Sequence, residues 1–180
     1  MNFDMTMDTN ETRDIPDIAY PMGPSRDDGL TAGAACAGRD LAGANLAGLR
    51  LSKINLSNAN LRGARLRGAI LDEANLAGAV LDNADLELSV LGGANLRDAS
   101  LRDANLKRAN LVGVDAAGAD FSGADFYYSR PGNGNFENAV FKNAKIERAI
   151  FRRATLRGAD MSGATGQANF ENANLEGMRQ

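Results

Sequence analysis

From Leu41 to Met161 an apolar side chain returns at every fifth position, and this spacing constrains the fold more than any other feature of the chain. Of the twenty-five positions in that series sixteen are Leu, five are Phe (Phe121, Phe126, Phe136, Phe141, Phe151), and one each is Ile146 and Met161; only Ala116 and Pro131 break it. We call these positions slots. Two residues before the slot stands a run of alanines, among them Ala44, Ala59, Ala64, Ala69 and Ala74, and the residue just before it is often Asn or Asp, as in Asn60, Asn75 and Asp85. The unit is Ala-(Asn/Asp)-Leu-x-x.

Five residues of α-helix advance about 500°, so successive leucines would be rotated by roughly 140° and would form no common face. A long strand fails as well, because an odd spacing puts alternate leucines on opposite sides. The chain must therefore turn once per repeat. A short extended segment directs Ala and Leu inward and the intervening Asn or Asp outward, and the last two residues make the corner. Gly or Asn often fills the second corner position (Gly43, Gly63, Gly78, Asn83), where a positive φ is easily adopted. Repeated turning in one sense gives an all-β solenoid whose coils stack about 4.8 Å apart.

Strings such as Ala59-Asn60-Leu61-Arg62-Gly63 and Ala74-Asn75-Leu76-Ala77-Gly78 resemble the pentapeptide-repeat proteins. The resemblance implies a right-handed quadrilateral β-helix with four repeats per coil, about seven coils over residues 34–180. The four sides and the handedness come from the resemblance; the spacing alone does not fix them.

Residues 1–33 do not repeat. They hold seven acidic residues against Arg13 and Arg26, a net charge of −5, and are expected to form a flexible acidic tail. Within it Ile15 precedes Pro16, and Ile18 and Tyr20 lie between Pro16 and Pro21, a pattern suited to docking as an extended peptide on a partner or capping the chain's own first coil. Cys36 falls on an early slot and reads as a small buried residue. With no second cysteine there is no internal disulfide, which suits a reducing compartment. No apolar run is long enough to span a bilayer and no signal sequence is evident, so a cytoplasmic location is expected.

With four repeats per coil, residues twenty apart share a face. Arg62, Arg65 and Arg67 then lie beneath Asp82, Asp85 and Glu87, and those beneath Arg102, Lys107 and Arg108, with Asp120 and Asp125 following. Alternating signs support stacking and cancel any extended field. One face carries Arg50, Ile70, Val90, Asn110, Arg130 and Ile150, and Ile70, Leu88, Val90 and Val112 are candidates for an apolar partner surface on it. The opposite face, with Asn55, Asn75, Asn95, Asp115 and Asn135, reads as a polar ladder. Pro131 removes a backbone donor, so its coil is expected to bulge, and Tyr127, Tyr128 and Arg130 beside it are the best candidates for a recognition loop. The phenylalanines nearby are explained by the volume that Ala116 and Pro131 leave. Past Met161 the frame slips: Phe170 and Leu175 come one position early, which predicts a distorted last coil and, through its open edge, a homodimer.

There is no histidine, and the Asp and Asn residues are explained by the repeat, so no nucleophile–base set, metal site or cofactor site is predicted and the protein reads as a non-enzyme. The leading function is a protein–protein interaction scaffold with an unidentified partner. The alternative implied by the resemblance is a DNA-mimicking protein that binds DNA gyrase and confers resistance to quinolones or a related toxin. Of the chain's 20 basic and 23 acidic residues the tail holds 2 and 7, leaving the repeats with 18 and 16, a net +2 where a mimic of duplex DNA should be strongly negative. The gyrase-binding relatives also dimerise through an extension after the last coil, whereas Leu175 is followed by five residues. Direct nucleic-acid binding is not expected, because acidic rungs interrupt the basic clusters.

Overall fold

The computed structural model describes residues 29–180. Isolated parallel bridges recur every fifth residue, and each joins a residue to the one twenty further on, from Ala35 with Asn55 to Lys145 with Thr165. Four pentapeptides therefore complete one coil, and the coil has four faces. The bridging residues are the outward Asn/Asp positions, so the expected direction of each side chain is the observed one.

Three ladder bonds tie each repeat to the next coil. In one example the Leu61 N–H donates to the Val80 carbonyl (2.7 Å), the Gly63 N–H to Asp82 (2.9 Å), and the Val80 N–H to the Ala59 carbonyl (2.9 Å). A fourth bond closes the corner, from the Ala64 N–H to the Leu61 carbonyl (3.0 Å). Only the second corner residue has a positive φ, the signature of a type II turn. The sequence suggests Gly or Asn there, but the fold imposes the conformation on every repeat. Leu88 (60°), Tyr128 (56°) and Arg153 (59°) adopt it too, at a cost of about 1–2 kcal/mol each relative to glycine.

The slot residues and the preceding alanines fill the interior, nearly all without solvent exposure. By register Ala116 lies beneath Phe136 and Pro131 beneath Phe151, so large rings sit over small slots. Phe141 contacts four other rings, with centroids 5.1 Å from Phe121, 5.5 Å from Phe126, 5.7 Å from Phe136 and 5.8 Å from Phe151. Gly134 occupies an alanine position because a Cβ there would lie 2.6 Å from Cε2 of Phe136.

Two expectations about irregularity need correction. The coil at Pro131 does not bulge: the corner at Gly132-Asn133 is regular, and the Asn133 N–H still reaches the Arg152 carbonyl (3.0 Å). The proline removes a single bond, because the slot N–H groups on either side donate to the bridging carbonyl above, Phe126 to Lys145 and Phe136 to Thr155 (2.7 Å each), and Pro131 has none to give to Ile150. Bridges from Asn110 to Arg130 and from Asp115 to Asn135 hold the register on either side. The frame slip is likewise local. One residue is omitted at Gly166 (φ 98°), after which pairing resumes nineteen residues apart, from Ile150 with Asn169 to Asp160 with Arg179. Phe170 takes the slot and stacks on Phe151 at 5.3 Å, while Leu175 is 38% exposed.

Candidate interaction surfaces

Ion pairs between coils dominate the charged faces. Arg62 meets Asp82 (3.1 Å), Arg67 meets both oxygens of Glu87 (2.8 and 3.2 Å), Arg102 meets Asp120 (2.6 Å) and Lys107 meets Asp125 (3.4 Å). Arg97 adds a pair with Asp115 at 3.1 Å. Burial works to raise the pKa of Asp120, but hydrogen bonds from the Ser122 hydroxyl and N–H and from Arg102 outweigh it and hold the carboxyl below its usual range. Asp160 is more heavily satisfied. The Ser162 hydroxyl and N–H, with Arg179 (3.0 Å) and Lys142 (3.4 Å), lower it to about 2. These pairs neutralise the surface locally, as the sign alternation predicts. On the opposite face the expected amide ladder is present, with Asn75 donating to Asn55 and Asn95 to Asn75 (3.3 Å each) and Asn135 to Asp115 (3.0 Å).

The candidate partner residues fall into three groups. Ile70 and Val90 are bridged to one another and half-buried, with half-buried Leu88 at the corner beside them. Higher on the same face Val112 (37%) and Ile150 (41%) are the exposed apolar residues, and they line a depression of about 220 Å3 with Arg130, Gly132, Asn133, Arg152 and Arg153. At the corner leading into that face Tyr127 and Tyr128 are exposed, with their rings edge to face at 4.7 Å, and the Arg148 guanidinium lies 5.0 Å from the Tyr128 ring centre. Tyr127 also borders a groove of about 380 Å3 with Lys107, Asp125, Lys145, Glu147 and Thr165. Ile15, Ile18 and Tyr20 lie outside the described residues.

The structure thus brings Val112, Tyr128 and Arg130 into one neighbourhood and leaves Ile70, Leu88 and Val90 lower on the face. Sequence reasoning overlooked the Arg152-Arg153 pair. Its signal was the twenty-residue offset that places it above Gly132-Asn133, where small side chains leave it room.

Cys36 is buried, with Sγ 3.7 Å from Nη1 of Arg39, and among the described residues no cluster of His, Cys, Asp or Glu could hold a metal ion. No helix among them is long and apolar enough to cross a membrane.

No curated protein sequence matches the chain significantly. Solved structures do. A trypsin-treated form of QnrB1, a plasmid-mediated fluoroquinolone resistance protein, is 22% identical with a TM-score of 0.64, over 83% of this chain and 90% of that one. Full-length QnrB1 is 20% identical with a TM-score of 0.52, over 83% and 92%. A pentapeptide repeat protein of the Arabidopsis thaliana thylakoid lumen is 30% identical with a TM-score of 0.38, over 68% and 71%. The QnrB1 likeness bears on the fold, a right-handed β-helix. The family model for pentapeptide repeats in eight copies matches residues 40–76, 59–98, 69–108, 89–127 and 135–165, which together cover most of the solenoid. With the five-residue unit, the twenty-residue bridge register and these matches in agreement, the chain belongs to the pentapeptide-repeat family.

Proposed function

We propose that this protein is a non-enzymatic, cytoplasmic interaction scaffold that recognises another protein through the surface around Tyr128 and Arg130. The acidic tail of residues 1–33 is read as a separate segment attached to a solenoid of about seven coils spanning residues 34–180. One observation carries the reading. Most of the rod is neutralised by pairs between coils, whereas this surface exposes two tyrosines, Val112 and Ile150, and here Arg108, Arg130 and Arg153 have no ion-pair partner among the described residues. Aromatic and arginine anchors beside exposed apolar residues are the composition of protein-binding hot spots.

The test is affinity capture from the native host with the full chain and with a Tyr128→Ser/Arg130→Glu variant, followed by mass spectrometry. A partner held by the first and lost by the second is expected. Partners retained equally by both would overturn the assignment of this surface, and gyrase subunits captured equally by both would replace it with the topoisomerase reading.

A further inference from the structure

The face that carries the depression has an unusual charge pattern. Its bridging positions read Arg50, Ile70, Val90, Asn110, Arg130 and Ile150, without an acidic residue. The acids on its bordering corners are engaged, Glu73 with Lys53 (3.6 Å), Glu87 with Arg67 and Glu147 with Arg148 (3.9 Å), while Asp72 has no ion pair among the described residues. Arg50, Arg130 and Arg153 are exposed and have no ion-pair partner among the described residues. The face is a cationic and apolar strip whose upper end widens into the depression.

A backbone acceptor lies at that upper end. Pro131 has no N–H, so the Ile150 carbonyl accepts no backbone bond from the coil below, unlike the Asp120 carbonyl, which takes the Leu101 N–H at 2.7 Å, or the Val140 carbonyl, which takes the Phe121 N–H at 2.7 Å. Gly132 carries no side chain over this carbonyl; a Cβ there would lie 3.5 Å from it and 3.2 Å from the Arg152 carbonyl oxygen. The site therefore offers guanidinium groups, two exposed aliphatic side chains and one unpaired acceptor. These suit an extended peptide with carboxylates, aliphatic residues and an available N–H.

The chain itself supplies such a peptide: Asp14-Ile15-Pro16-Asp17-Ile18-Ala19-Tyr20. By the twenty-residue offset Leu30 falls one coil below Arg50, and the Gly33 N–H donates to the Ser52 carbonyl (2.9 Å), so the described chain begins at the foot of this same strip. From there Arg130 is five coils away, about 24 Å at the usual spacing between coils. The twelve residues from Ile18 to Leu30 reach about 40 Å when extended, and Pro21 and Pro24 favour extension. Asp27 and Asp28 would pass Arg50, leaving Asp14 and Asp17 for Arg130 and Arg153.

We propose that the acidic segment Asp14–Tyr20 docks in cis on this strip, with Ile15 and Ile18 against Val112 and Ile150 and a backbone N–H on the Ile150 carbonyl. The segment is a resident competitor, so an external partner gains the surface by displacing it. This regulation rests on the reading of the surface as a binding site.

The test uses the full chain with a photo-reactive benzoylphenylalanine at Tyr20, irradiated at low concentration, with cross-linked peptides mapped by mass spectrometry. Cross-links within one molecule to residues 110–153 are expected. They should fall about fivefold with Arg130→Gln/Arg153→Gln, exposed positions where a fold defect would show separately by circular dichroism, and similarly in about 0.5 M salt on the unaltered arginines. Cross-links confined to residues 30–49 would mean first-coil capping and overturn the proposal. So would cross-links only between copies, or none above background. No external partner is present, so a negative result leaves the partner-binding role standing, and a failure to capture a partner leaves the cross-link standing.

Discussion

Ser89 and Ser129 provide a matched pair inside one molecule. Both occupy the position where the repeat calls for alanine, both have no solvent exposure, and they lie two coils apart on the same face. The Ser89 hydroxyl donates to the Leu86 carbonyl at 2.7 Å, whereas the Ser129 hydroxyl has no hydrogen-bond partner among the described residues. Replacing Ser89 by alanine removes one net bond, worth about 0.5–1.5 kcal/mol, and strands nothing, because the Leu86 carbonyl keeps the Ser89 N–H at 3.0 Å. Replacing Ser129 removes a desolvated hydroxyl without a partner, a gain of about 1–2 kcal/mol. For a chain of this size that raises the melting temperature by about 3–6 °C, while Ser89→Ala lowers it slightly. Thermal unfolding by circular dichroism measures the sum. Hydrogen exchange adds a local readout, since the Ile150 N–H donates to Ser129 (3.0 Å) and the Asn110 N–H to Ser89 (2.9 Å). Equal shifts for the two variants would refute the reasoning, because only the hydroxyl's partner distinguishes them.

Gly134→Ala restores the repeat's own preferred residue, yet it should destabilise by about 1–3 kcal/mol, because the new Cβ meets Phe136 and the Pro131 carbonyl oxygen; a stabilised variant in urea titration would contradict this. Phe141→Ala should cost about 3–5 kcal/mol and Phe141→Leu about 1, and near-neutrality of the alanine variant would show that the ring cluster is not packed as described. Asp160 has a folded pKa of about 2, below the unfolded value near 4, so the unfolded chain binds more protons. Its contribution is complete above pH 4 and is lost as pH falls towards 2. The decline in melting temperature across that window should be shallower in Asp160→Asn, and identical slopes would count against the pairing with Ser162 and Arg179.

Much of the fold was legible because one local rule repeats. The five-residue spacing fixed where the chain turns and which side chains point inward, and every bridge up to Thr165 falls on the predicted position. The number of sides came from resemblance. With the register of twenty in hand, charge alternation located ion pairs such as Arg62 with Asp82 and Arg67 with Glu87. What escaped the sequence depends on several coils at once. A proline reads as a breaker, but here it loses one bond while neighbouring bridges hold the register. Leu88 and Tyr128 accept a left-handed φ because the coils above and below dictate it, overriding their own preference. The depression arises from Gly132 and Asn133 lying beneath two arginines, a juxtaposition across coils that no single repeat contains.

Four departures from the repeat lie close together: Ala116, Ser129, Pro131 and Gly134 all fall in the coils that display Tyr127, Tyr128 and Arg130. Volume compensation explains the phenylalanines, and through them Ala116 and Gly134. It does not explain Pro131, since a small slot residue can retain its ladder bond: the Ala116 N–H donates to the Asn135 carbonyl at 2.7 Å. Local rules are broken most often where a protein has another use for the site. Pro131→Ala separates the two accounts. It keeps the slot small, so packing beneath Phe151 is unchanged, and it restores a donor to the Ile150 carbonyl. The gain of about 0.5–1.5 kcal/mol from that bond is offset by the loss of the proline's restriction of the unfolded chain, so stability should change by less than about 1 kcal/mol. If the unpaired carbonyl serves the docked segment, the Tyr20 cross-link should weaken in Pro131→Ala and persist in Ser129→Ala. An undiminished cross-link in the proline variant would reduce Pro131 to a tolerated fault and remove the backbone contact from the docking geometry.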